Sequence, residues 1–244
     1  MPPQELVLFS FLALTAEILG TIGGFGSSLL FVPLASYFLD FHTVLGITAL
    51  FHVMSNLSKI AFFRKGVDKM TILYIGIPSV VFVIIGAYLT KFIDTRILQI
   101  FLAIFLIALS LLFLIFKQLK LKPTASNSVG GGVLSGLAAG LLGTGGAIRG
   151  IVLASYNLKM DTFIATSAII DLAIDFSRSV VYTFNGYVHT HDLYLIPILL
   201  VVSVLGTFIG KQILKKMSEE QFKSIVLVLV LFTGVMSLVK VYME

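Results

Sequence analysis

Long apolar runs separated by short polar stretches dominate the chain. Residues 71–90 (TILYIGIPSVVFVIIGAYLT) and 97–116 (ILQIFLAIFLIALSLLFLIF) each run for 20 positions without a charge. At about 1.5 Å per residue, either helix crosses a hydrocarbon core of about 30 Å. Residues 193–210 and 222–239 form a second such pair, and Lys223 lies close enough to the end of the latter to snorkel. Residues 43–63 and 162–184 also read as membrane helices, yet carry polar and charged positions inside. The remaining segments differ. Residues 6–22 and 24–39 flank a Gly-Gly-Phe-Gly run, and 129–142 and 147–157 flank Gly-Thr-Gly-Gly. The stretch 147–157 is too short to span as a helix, and irregular backbone at membrane depth survives only where it lines a cavity or is buried in protein. The pattern therefore predicts an all-α polytopic membrane protein with two re-entrant or broken hairpins, each followed by three spanning helices.

A shift of 119 residues lays one half of the chain on the other. Ala35-Ser36-Tyr37 falls on Ala154-Ser155-Tyr156, Gly24 and Gly26 on Gly143 and Gly145, and Ile77-Pro78 on Ile196-Pro197. Thr43 meets Thr162 and Ser58 meets Ser177 in the same register. The expected organisation is a first transmembrane repeat over 1–116, a polar cytoplasmic linker over 117–128 (KQLKLKPTASNS) and a second repeat over 129–244.

Composition agrees with a lipid environment: 58% of residues are hydrophobic, 12% are charged, and the mean hydropathy is +1.05. A soluble chain is roughly a quarter charged. Without cysteine there are no disulfides, thiol nucleophiles or thiolate metal sites. The four His residues show no metal-ligand spacing, so neither metal nor cofactor is expected. The net charge of +5 does not point to nucleic acid, because its sources cluster in loops. Arg64, Lys65, Lys69, Lys117, Lys120, Lys122, Lys159, Lys211, Lys215 and Lys216 share one side if the chain starts outside, and Lys91, Arg96 and Lys240 take the other. That bias marks the first side as cytoplasmic and puts both termini outside. With three full crossings per half, the halves are inverted relative to each other. No basic leader precedes the first apolar run.

Candidate chemistry lies at the breaks and on the third helix of each half. Gly24, Gly26, Ser27 and Ser28 open one short helix, and Gly143, Thr144, Gly145 and Gly146 open the other. Helix N-termini present free N–H groups and bind anions; the alternative is that these glycines serve only packing, as those in 132–140 do. Arg149 stands just inside the second short helix, where a guanidinium costs about 3 kcal/mol in lipid unless paired or used. It is a candidate oxyanion clamp, or the partner of Glu17 or Asp171. His52, Asn56 and Lys59 align with Asp171, Asp175 and Arg178, at i, i+4 and i+7 on one helix face. Asp171, Asp175 and His52 are candidates for a coupling proton, against a structural reading in which Asp175 pairs with Arg178 and Lys59 snorkels to the cytoplasmic surface. Glu17 is a further coupling candidate, expected to pair with Arg149 or another intramembrane cation or else to take part in proton movement. Ser27 and Ser28 have no His nearby in the sequence pattern, which disfavours a serine nucleophile. His189 and His191 read as surface residues.

The stretches Ile22-Gly23-Gly24-Phe25-Gly26-Ser27-Ser28, with Val32-Pro33-Leu34 beyond, and Leu142-Gly143-Thr144-Gly145-Gly146, within two repeats totalling 244 residues, resemble the TauE/SafE family of membrane permeases. The resemblance covers nearly the whole chain. It implies a permease of the cell membrane for sulfite, sulfonates or related organic anions, working as an exporter. Neither break has an uninterrupted Gly triplet, and the second lacks a counterpart of Pro33, which leaves the substrate open. The partners implied are a small anion, the lipid bilayer and a coupling proton or cation, with a homo-oligomer left open. An anion channel, an intramembrane enzyme and a receptor or assembly subunit are the competing classes; the polar faces at 52–59 and 171–178 count against the last.

Overall fold

The computed structural model describes residues 1–23, 26–63, 66–116, 121–216 and 219–243; Gly24, Arg64, Lys65, Lys117 and Lys120 fall outside these, as does the side chain of Lys223. The described residues contain no strand and form ten helices. These are α1 (Pro3–Gly23), α2 (Ser28–Ala35), α3 (Phe41–Phe62), α4 (Lys69–Phe92), α5 (Thr95–Ile115), α6 (Ala125–Leu142), α7 (Gly146–Ala154), α8 (Met160–Phe184), α9 (Leu195–Leu214) and α10 (Glu219–Met243). Among them α1, α3, α4, α5 and α9 are long and apolar enough to cross a membrane. The chain is thus a multi-pass membrane protein.

Local sequence sets the helix ends. Asp40, Asp68, Asp94 and Thr124 each accept a backbone N–H at the start of α3, α4, α5 and α6, satisfying donors that the helix itself leaves free. The Thr124 cap starts α6 at Ala125, inside the polar stretch expected to be linker. In α4 a π-helical stretch, Ile72–Gly76, precedes Pro78. Proline has no N–H to continue the regular ladder, and the wider turn absorbs the mismatch. Gly143 ends α6 with φ 75°, a left-handed cap that glycine adopts without penalty.

The packing pairs each half with the other. α1 runs parallel to α9, with Gly206 against Glu17 and Gly210 against Thr21. In the other half α6 runs parallel to α4, with Gly132, Gly136 and Gly140 against Ile75, Ser79 and Val83. These are the packing glycines expected from the sequence; their missing side chains let two backbones touch. α3 and α8 cross antiparallel: Gly46 meets Tyr187, His52 meets Arg178, and Asn56 meets Asp175. α5 and α10 do likewise, with Arg96 at Val241 and Leu106 at Gly234.

Both breaks are hairpins with one long and one short arm, and each returns to the side from which it started. Phe9 of α1 meets Phe31 and Phe38 at ring distances of 5.6 and 5.7 Å. The Ser128 and Tyr156 hydroxyls close the second hairpin at 2.6 Å. The first hairpin ends beside Lys240, which donates to the Ser36 carbonyl at 2.7 Å. The second ends at the buried cluster that holds Val152 and Leu153, against which Leu121, Leu158, Phe163 and Ile72 of α4 all pack. Phe163 also joins Phe62 of α3 and Leu214 of α9.

Candidate functional site

The short arms meet in the interior. Gly20 of α1 lets the returning chain lie directly on it, since a Cβ there would overlap the Ser27 backbone. α2 therefore begins deep in the molecule at Ser28, and α7 begins at Gly146. The Ser28 hydroxyl donates to Thr144 Oγ1 at 3.1 Å, joining the two breaks. The third helices, α3 and α8, present their polar faces to this point. Every site candidate from the sequence lines one cavity here, save Glu17, Thr144 and Gly24. Glu17 lies behind it, Thr144 touches it through Ser28, and Gly24 is outside the described residues. The cavity encloses about 20 Å³, room for about one water.

Three buried ion pairs surround it. Arg149, in the first turn of α7, holds Asp171 through both terminal nitrogens, and its Nε donates to Ser167 Oγ at 3.4 Å. Arg178 holds Asp175 at 2.7 Å, while Asn56 Nδ2 donates to the other Asp175 oxygen at 2.7 Å. Arg178 Nη1 also donates to the Gly143 and Ala139 carbonyls at 2.7 and 3.2 Å. It thereby satisfies acceptors that the end of α6 exposes, at the negative pole of that helix. The third pair is Glu17 and Lys59, at 3.0 Å.

That last pair corrects one expectation. Lys59 does not snorkel to the surface. It is buried and donates to Ser55 Oγ at 2.7 Å as well as to Glu17. The pull is Glu17, a fully buried carboxylate that also accepts hydroxyl bonds from Thr21, Ser27, Ser55 and Thr207. An unpaired charge here would be costly. Three carboxylates against three cations leave the site neutral when all are ionised.

A second expectation also fails. Ser27 does have a histidine beside it: His52 Nε2 lies 3.0 Å from its hydroxyl. The protons run the wrong way for a nucleophile, however. Arg178 Nη2 lies 3.3 Å from His52 Nδ1 and can only donate, so Nδ1 is the acceptor and Nε2 carries the hydrogen. Nε2–H donates to Ser27, and Ser27 donates to Glu17 Oε2 at 2.7 Å. The ring nitrogen facing Ser27 already bears a proton and cannot act as its base.

Ser55, Ser167 and Thr207 were missed from the sequence, because isolated hydroxyls in apolar helices carry no periodic signal. His191 is exposed and stacks on His189 at 5.2 Å, in keeping with surface residues. Among the described residues no cluster of three or more His, Asp or Glu is arranged to hold a metal.

Searches of curated proteins and of solved structures each returned no significant match. The family profile described as "Sulfite exporter TauE/SafE" matches residues 9–237. With that match over nearly its whole length, the chain belongs to the TauE/SafE sulfite exporter family.

Proposed function

We propose that the protein is a secondary transporter carrying a small oxyanion, such as sulfite, a sulfonate or a related organic acid, by alternating access around the cavity between the two breaks. One observation carries this reading: the buried Arg149 guanidinium grips a carboxylate with both terminal nitrogens at the start of α7, facing the start of α2. A planar fork of donors suits any ligand with two adjacent anionic oxygens. In this reading such a ligand takes the place of the Asp171 carboxylate. Ser27, Ser28, Gly26, Gly143, Thr144, Gly145 and Gly146 supply the surrounding hydroxyl and backbone donors.

The antiparallel crossing of α3 with α8 supports inverted halves. So does the return of the two hairpins to opposite ends of the molecule. In this reading the termini are extracytoplasmic and the Lys-rich end faces the cytoplasm of a cell-membrane protein. The small volume of the cavity and its ion pairs favour a carrier over an open channel, because an oxyanion enters only when pairs and helices part.

Counterflow in proteoliposomes tests the reading. With unlabelled anion inside and a trace of labelled sulfite or sulfoacetate outside, wild type gives a transient overshoot of label, and Arg149→Ala abolishes it. Equilibration without overshoot indicates a channel. No protein-dependent movement of any sulfur oxyanion, sulfonate or carboxylate rules out anion transport.

A further inference from the structure

The three buried carboxylates are held with unequal firmness. Glu17 is bound by Lys59 and four hydroxyls. Asp175 is bound by Arg178 and Asn56. Among the described residues Asp171 rests on Arg149 and on Ser167, the latter at 3.3 Å. Its side chain is 18% exposed, against 0% for Glu17 and 6% for Asp175. Asp171 also lines both the central cavity and a second one that continues along α8 past Ser167 to Phe163, toward the Lys-rich end.

Charge balance then limits what can bind. The three pairs sum to zero. An anion that takes over Arg149 adds a negative charge and strips Asp171 of its cation. A carboxylate left without a partner in an apolar interior neutralises rather than staying ionised. The other charged groups facing Asp171 are already committed: Lys59 from α3 to Glu17, and Asp175 and Arg178 on its own helix to each other. His52, also from α3, has its free ring nitrogen occupied by Arg178. Neither α4 nor α6 contributes an ionisable side chain to either cavity.

Resting on the anion-transport reading above, we infer that the transported anion displaces Asp171 from Arg149, and that Asp171 takes up a proton from the bathing solution as it leaves. Each anion then travels with one proton. The step balances: Arg149 keeps its charge and exchanges one pair of acceptor oxygens for another, and the released carboxylate becomes a carboxylic acid. A monoanion, such as a sulfonate or hydrogen sulfite, restores neutrality, whereas a dianion leaves one negative charge over. The site thus selects monoanionic oxyanions.

The test is a binding titration of the purified protein with ethanesulfonate in weakly buffered solution containing a pH indicator. The sulfonate does not titrate in the working range, so any proton taken up goes to the protein. Wild type is expected to bind about one proton per anion, with affinity falling about tenfold per pH unit on the alkaline side. Asp171→Asn loses both the uptake and the pH dependence, and Asp171→Glu keeps them. Binding by wild type without proton uptake overturns the inference, as does equal uptake by the Asn variant. If circular dichroism shows that the Asn variant does not fold, wild type and the Glu variant decide. Failure of ethanesulfonate, sulfite and acetate alike to bind removes the anion-transport reading, and this inference with it; binding without uptake removes this inference alone.

Discussion

The two halves put cations at matching helix positions and use them differently. In the first, Lys59 turns to Glu17 of α1 inside a shell of hydroxyls. In the second, Arg178 at the matching position caps α6 and ties down Asp175. Where the first half has Glu17 the second has Gly136, packed on Ser79, and where the second has Arg149 the first has Leu30. The scaffold recurs while the chemistry does not. The helix pairing recurs, whereas an arginine in the short arm occurs in the second half alone.

That difference predicts unequal costs. Arg178→Ala strands Asp175 and uncovers two carbonyls of α6, for an expected loss of about 3–5 kcal/mol. Lys59→Ala leaves Glu17 its four hydroxyl donors, so about 1–3 kcal/mol is expected. Thermal unfolding in detergent ranks the two, and the reverse order would make the first half the stiffer. The breaks differ next. A Cβ at Gly145 runs into the Ser135 carbonyl, whereas at Gly26 the nearest atom is Ser28 Oγ at 3.7 Å and the cost lies in a φ of +82°. Gly145→Ala should cost about 1–3 kcal/mol and slow counterflow more than Gly26→Ala, at about 1 kcal/mol. Equal effects would erase the distinction.

The smallest effect is expected at Asp68, the cap of α4. Hydrogen bonding from Thr71, whose backbone N–H donates to Asp68 Oδ1 at 2.7 Å, holds its carboxyl below the ordinary value. A lowered value in the folded state means stabilisation that is present above the unfolded value and lost as pH falls through the folded one. Asp68→Ala should cost no more than about 1 kcal/mol at neutral pH. Its difference from wild type should vanish on acidification; a gap persisting in acid contradicts the capping role.

Much of this was legible beforehand because lipid enforces simple rules. Length and apolarity picked out α3, α4, α5 and α9, and the Gly runs marked the two hairpins; α8 is long but falls outside the helices apolar enough to cross, whereas α1, read as a hairpin arm, falls among them. The i, i+4, i+7 pattern put His52, Asn56, Asp171, Asp175 and Arg178 on inward faces. What escaped was depth and direction. Lys59 sits three residues from the end of α3 at Phe62, and its stem is long enough to reach either water or the core. Only the location of Glu17, on a helix distant in sequence, decides between them. The contact of Ser27 with His52 depends on how far α1 lets the chain turn back over Gly20, a distance that no periodicity encodes.

The cross-packing of α1 on α9 and of α6 on α4 ties one half of the chain to the other. Each first helix packs on the short arm of its own half and, on another side, against a helix of the other half. Severing the chain between α5 and α6 would therefore leave α1 and α6 joined to their cross-partners α9 and α4 by packing alone.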